Sequence, residues 1–99
     1  MTHPRAYTED EAIDAFLSYV RAIVDHWSSA KASERNKLEG VAFSILAALD
    51  GEAGLLPGFR VSPDPHPTDE AYLRSQGRCW YPKDLDIAGS LHDRLMKTL

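Results

Sequence analysis

Two apolar stripes at helical spacing, joined by a short polar turn, constrain this chain more than any other feature. Ile13, Phe16, Leu17, Val20, Ile23, Val24 and Trp27 recur at intervals of three and four, which places them on one face of a helix. Leu38, Val41, Ala42, Ile45, Leu46 and Leu49 repeat the pattern, with Phe43 widening the stripe. The first helix is punctuated at its start by Thr8-Glu9-Asp10-Glu11. This is the capping-box arrangement, in which the threonine hydroxyl and the glutamate three residues on satisfy free backbone donors reciprocally. SSAKAS (28–33) is the turn, and Ser33 is the expected N-cap of the second helix. Asp50-Gly51 is the expected stop, with Gly51 suited to the left-handed position after a helix. Two long antiparallel helices joined this tightly form an αα-hairpin. Gly40 and Ser44 lie one turn apart inside the second helix. A mid-helix glycine costs about 1 kcal/mol relative to alanine, and close approach of a neighbouring element is the expected compensation.

The rest of the chain is less regular. GEAGLLPGF (51–59) reads as turns around Leu55-Leu56, and SPDPHP (62–67) as a stiff, polyproline-like crossing, because each proline fixes its own φ and extends its predecessor. Thr68 is the expected cap of a short third helix carrying Tyr72 and Leu73 and ending at Gly77. The segment 78–81 is a candidate partner for 58–61 in a minimal two-stranded ribbon. Asp84 is the expected cap of a last helix with Asp86 in its first turn and Ile87, Ala88, Leu91 and Leu95 facing the core. Leu55, Leu56, Phe59, Val61, Trp80 and Tyr81 are expected to pack the crossing onto the helices. The fold class is therefore mainly α: a small helical bundle built on an αα-hairpin, with a proline- and glycine-rich crossing and a C-terminal helix. At 99 residues the chain has room for one domain, with residues 1–7 as a loose arm.

Composition narrows the classes of function. Fifteen acidic against eleven basic residues give a formal net charge of −4, and the basic residues are scattered without a stripe, so nucleic acid is not an expected partner. Acidity of this size also weakly disfavours anionic membranes. No apolar run approaches the roughly 18 residues needed to span a bilayer. The N-terminus lacks a basic segment followed by an apolar one, so no secretory signal is read and a cytoplasmic location is expected.

Val61 to Pro82, VSPDPHPTDEAYLRSQGRCWYP, collects the residues that most invite a chemical reading. A metal site would draw on His66, Cys79 and His92, but these lie 13 residues apart in each gap, with neither a CxxC nor an HxxxH pair. No metal and no other cofactor is expected. A catalytic thiol would pair Cys79, the single cysteine, with His66 or His92. Trp80 and Tyr81 beside it point instead to a buried thiol acting as a small hydrophobe. Acid–base work would join His66 or His92 to Asp64, Asp69, Asp86 or Asp93; adjacent His92 and Asp93 point apart on a helix and are not expected to pair. The bland reading of His66 is a ring that cross-links the loop or caps the following helix. No glycine-rich phosphate loop is present.

LEGVAFSILAALDG (38–51), LPGFRVSPDPHPTD (56–69), WYP (80–82) and DIAGSLHD (86–93) together resemble a group of small uncharacterised bacterial proteins. The resemblance covers a little over half the chain and leaves the first helix outside. It implies that these pieces form one folded unit and implies no function.

The leading reading is a non-enzymatic protein–protein interaction module, with a homodimer as one form. His66, Asp69, Tyr72, Trp80, Tyr81 and His92 are its candidate binding residues, and no residue is assigned a catalytic role. The alternative is a small enzyme or metal-dependent protein using His66 with Cys79 or His92. A third class, an acidic mimic of nucleic acid, has only the cluster from Glu9 to Asp14 behind it.

Overall fold

A computed structural model describes residues 7–99, so all of the expected N-terminal arm except Tyr7 lies outside the described residues. Helix α1 spans Glu9–Ser29 and α2 spans Glu34–Leu49. The capping box is complete. The Glu11 amide donates to Thr8 Oγ1 at 3.1 Å, and the Thr8 amide donates to Glu11 Oε1 at 3.0 Å. Ser33 caps α2 by accepting from the Asn36 amide at 3.2 Å. At the far end Glu52 N donates to Ala47 O and Gly51 N to Ala48 O, with Gly51 at φ 87°. This is a Schellman stop, which requires a left-handed residue after the cap. Local sequence alone specifies both helices and the turn between them.

Trp27 holds the hairpin together. Its indole covers Gly40, where an added Cβ would fall far inside contact distance of ring atoms Cδ2, Cε2 and Cζ2. Its Nε1 donates to Ser44 Oγ at 3.1 Å. The glycine one turn from the serine thus makes a slot for a ring, and the hydroxyl satisfies the polar edge that would otherwise be buried unpaired. On the opposite flank Phe16 meets Phe59 edge-on, centroids 5.3 Å apart, and Phe59 N donates to Leu49 O at 3.2 Å. The chain leaving α2 is therefore turned back onto α1.

The second half departs from several expectations. A 3₁₀ turn, Pro67–Asp69, precedes α3, Glu70–Ser75. His66 rather than Thr68 caps it, because a proline at the first position moves the start of the turn upstream. No strand forms among the described residues, and 78–81 does not pair with 58–61. Val61 has already spent both backbone groups elsewhere: its N–H donates to Asp86 Oδ1 at 2.8 Å and its C=O accepts from Ile87 N at 2.8 Å. The same Asp86 oxygen accepts from Ala88 N at 3.0 Å. That carboxylate clasps a loop instead of opening a helix, so the last helix, α4, spans only Leu91–Thr98. Asp84 lies in a preceding turn and caps nothing. Leu55, expected to pack, is 94% exposed at the tip of the turn closed by Leu56 N on Ala53 O. Cys79, expected to be buried, is exposed. In an extended stretch successive side chains alternate sides, and half-buried Trp80 takes the inward position, leaving Cys79 and Tyr81 outside.

The assembled molecule is flat, 50 × 46 × 19 Å, with a radius of gyration of 17.5 Å against about 13 Å for a compact domain of this length. Ile23, Ala48 and Ala53 are the buried hydrophobic residues among those described. No described helix is long and apolar enough to cross a membrane.

The Trp27 slot is open to direct test. Gly40→Ala gains helix propensity worth about 1 kcal/mol but overlaps a ring pinned by Ser44. A net destabilisation of about 1–3 kcal/mol is expected from overpacking. Gly54→Ala, which meets no atom within 4 Å, is the matched control and should shift the urea midpoint little. Equal midpoints for the two variants would show that Trp27 is not held in the slot.

Candidate functional site

The six residues singled out from sequence fall into two places. Trp80 and Tyr81 line a cleft with Pro63, Pro65 and Pro67 from the crossing. Asp64, Glu70 and Lys83 add charge to its lining. The prolines of SPDPHP thus stand beside the WYP segment, an arrangement visible only once the chain has turned back after α3. His66, Asp69 and Tyr72 lie close by in the chain but outside the lining of the cleft. Asp69 is exposed in the 3₁₀ turn, and Tyr72, 64% exposed, projects from α3. Tyr81 is 47% exposed, so its ring contributes to the cleft while keeping an outward face.

His66 serves the backbone at this edge. Its Nδ1 accepts from the Thr68 amide at 3.3 Å and lies 2.7 Å from Thr68 Oγ1. This is the capping role read from the sequence as the bland alternative. A ring whose Nδ1 accepts from an amide carries its neutral-form proton on Nε2, and Nε2 is left for solvent or a ligand.

His92 lies apart, at the start of α4. Its Nδ1 is 2.5 Å from Asp50 Oδ2, and its own backbone N–H donates to the same oxygen at 2.9 Å. The other oxygen, Oδ1, accepts from Gly89 N at 2.5 Å. The Asp50 side chain has no exposed surface. An acid at the C-terminus of α2 sits at the unfavourable end of that helix's dipole. Here it is turned outward onto the N-terminus of α4, where the field favours it. It caps α4 from a distance of 42 residues, and the nominal cap residue, Ser90, makes no capping bond of its own. Ser90 Oγ instead accepts from Arg94 Nε at 3.1 Å. Phe43 covers the imidazole edge-on at 5.4 Å between centroids.

Asp50 is not among the candidate site residues that the sequence offers. The available signal was an acid placed at a helix C-terminus, where sequence logic would favour a base. His92 and Asp93 also depart from the expectation that they point apart, since Nε2 lies 3.5 Å from Asp93 Oδ1. Anchoring Nδ1 on Asp50 swings the far side of the ring toward its neighbour. Among the described residues no group of three or more His, Cys, Asp and Glu side chains is arranged to hold a metal.

The Asp50–His92 pair sets a pH window. Burial pushes the Asp50 carboxyl up, but hydrogen bonds from His92 and Gly89 outweigh it and leave the group below its ordinary value of 3.8. The hydrogen bond to Asp50 raises His92 above its ordinary 6.5, against an opposing push from burial, with Asp93 adding to the rise. A depressed carboxyl stabilises the fold above its unfolded value, and that stability is lost as pH falls through its folded value. A raised imidazole stabilises the fold fully below 6.5, and that stability is lost as pH rises through its folded value. The pair is strongest between these limits. The urea midpoint of the native chain should fall as pH rises from 6.5 through the raised value of folded His92, and His92→Gln should flatten that decline. Asp50→Asn should cost about 2 kcal/mol near pH 6, the scale of hydrogen bonds to a charged acceptor. Parallel pH profiles for the native chain and His92→Gln would remove the imidazole from the account.

Compared with protein-family models, with curated proteins and with solved structures, the chain finds no match.

Proposed function

We propose that the protein is a non-enzymatic protein–protein interaction module, and that the cleft between the proline crossing and Trp80-Tyr81 is a contact surface for another protein. The observation that supports this reading is the cleft itself. Prolines and aromatic rings line it side by side, together with the charged groups of Asp64, Glu70 and Lys83. Such surfaces suit extended peptide or loop segments for physical reasons. Aromatic rings supply large contact area at small entropic cost, and prolines are already rigid, so little freedom is lost on binding. Tyr81 keeps an exposed face on the cleft, Tyr72 is an exposed ring on the neighbouring α3, and His66 adds a ring whose Nε2 is not engaged by the cap.

His92 has a different role in this reading. It belongs to the Asp50 clasp, and its contribution is to hold α4 on α2. Substitutions there should act through stability, whereas substitutions at the cleft should act through binding.

A capture experiment from native lysate separates the two. Immobilised native protein should retain a partner in stoichiometric amount, and Tyr81→Ala and Tyr72→Ala should each weaken that retention at least about tenfold, as expected for an exposed aromatic anchor. The helical circular-dichroism signal should be unchanged, since neither ring is buried. Retention equal to the native chain by both variants would place the contact surface elsewhere. Unfolding of both would make the crossing a structural belt only.

A further inference from the structure

The second half of the chain packs α4 on α2 and brings Phe59 to the edge of Ile13, Phe16 and Leu17, yet much of the hairpin's apolar surface stays exposed. On α1, Ile13, Leu17, Val20 and Val24 follow one another at steps of four, three and four residues. Leu38, Ala42, Ile45 and Leu49 repeat those steps on α2. This is the spacing of a helix-bundle seam, in which each apolar residue enters a hole on the facing helix. Val24 of the first seam and Leu38 of the second line one shallow groove with Trp27 and Val41, which puts the two seams on the same side at that end. Yet Leu17 is 57% exposed and Leu38 71%. Charged residues border the strip: exposed Asp10, Asp14, Arg21 and Asp25 on the outer flank of α1, and exposed Arg35 with half-buried Glu39, 2.6 Å apart, on α2. An apolar strip with a polar rim is the anatomy of a protein interface.

We infer that a second copy of this chain covers the strip, joining two hairpins face to face in a four-helix bundle. Two observations select that occupant. The chain exposes 8071 Å², about 2,400 Å² more than a compact monomer of its mass. A standard interface removes about 800 Å² from each partner, so a dimer fits well within the excess. The surface on offer is also a two-helix layer with seams on both helices, and another two-helix layer with the same seams is its natural complement. The surface is distinct from the proline–aromatic cleft, so the dimer leaves that cleft open.

Sedimentation equilibrium tests the inference. The native chain should have twice its 11.0 kDa mass at about 100 µM, and its melting temperature should rise with concentration, as mass action requires of a dimer. Leu17→Glu combined with Leu38→Glu should raise the dimer dissociation constant at least about 100-fold, since it buries like charges within the strip. Both positions are largely exposed within one copy, so the helical signal should persist. Should the double variant unfold instead, the native chain's concentration-dependent melting still decides between monomer and dimer. Tyr81→Ala should leave the mass doubled, which separates failure of this inference from failure of the cleft reading. A native monomer throughout the range, a double variant as dimeric as the native chain, or loss of the dimer in Tyr81→Ala would each overturn the inference.

Discussion

One buried carboxylate decides how the two halves of this molecule meet. Asp50 is the cap residue that follows α2, and its two carboxylate oxygens open α4, accepting from Gly89 N, from His92 N and from the His92 ring. The geometry reconciles two helix termini. Negative charge at the end of α2 is a liability that becomes favourable when shared with the positive end of α4. Asp86 does similar work on the crossing, where it takes the amides of Val61 and Ala88. Directional bonds to backbone amides fix orientation well. They leave little freedom in how 86–98 sits against the hairpin.

The first half of the chain was legible because its signals are local. The capping box, the serine cap and the glycine stop each involve residues within five positions, and the apolar stripes repeat within a turn. Even the contact of Trp27 with Gly40 and Ser44 was foreshadowed by an otherwise costly glycine. The second half hid its logic because its decisive bonds join residues 25 and 42 positions apart. Asp86 carried every mark of a first-turn acid. Nothing near it announced that Val61 would claim its oxygen, so the last helix was expected several residues early. Burial was misjudged at Leu55 and Cys79 for a related reason. Hydrophobicity says that a residue favours the interior, whereas turn closure and strand alternation decide which neighbour gets there. The cleft was legible in its parts, Trp80 and Tyr81, but not in the prolines that line it beside them. His92 belonged to a different place altogether.

The polar clasps and the apolar surfaces do different jobs, and the contrast bears on how the molecule is stabilised. A net hydrogen bond contributes about 1 kcal/mol, because the unfolded chain bonds to water instead. Conformational entropy opposes folding by about 1–2 kcal/mol for each ordered residue, so clasps of this kind specify an arrangement without being able to sustain it. The sustaining term has to come from apolar area removed from water, at about 25 cal/mol for each Å². Within one copy that area is modest, since among the described residues the buried hydrophobic core comprises Ile23, Ala48 and Ala53.

This division makes the two sides of the hairpin unequal in kind. The side that receives α4 and the crossing is organised by charges and amides, so its partner is specified closely and its register is fixed. The exposed strip carries aliphatic side chains in regular steps, which bury well but discriminate weakly. A surface of that type favours a partner whose own pattern supplies the register. An identical hairpin does so without any further information, because every seam position on one copy is present on the other. The chain thus spends its directional bonds on the contact that has no repeat to guide it, and in the inferred dimer the repeating seam would serve the contact that does.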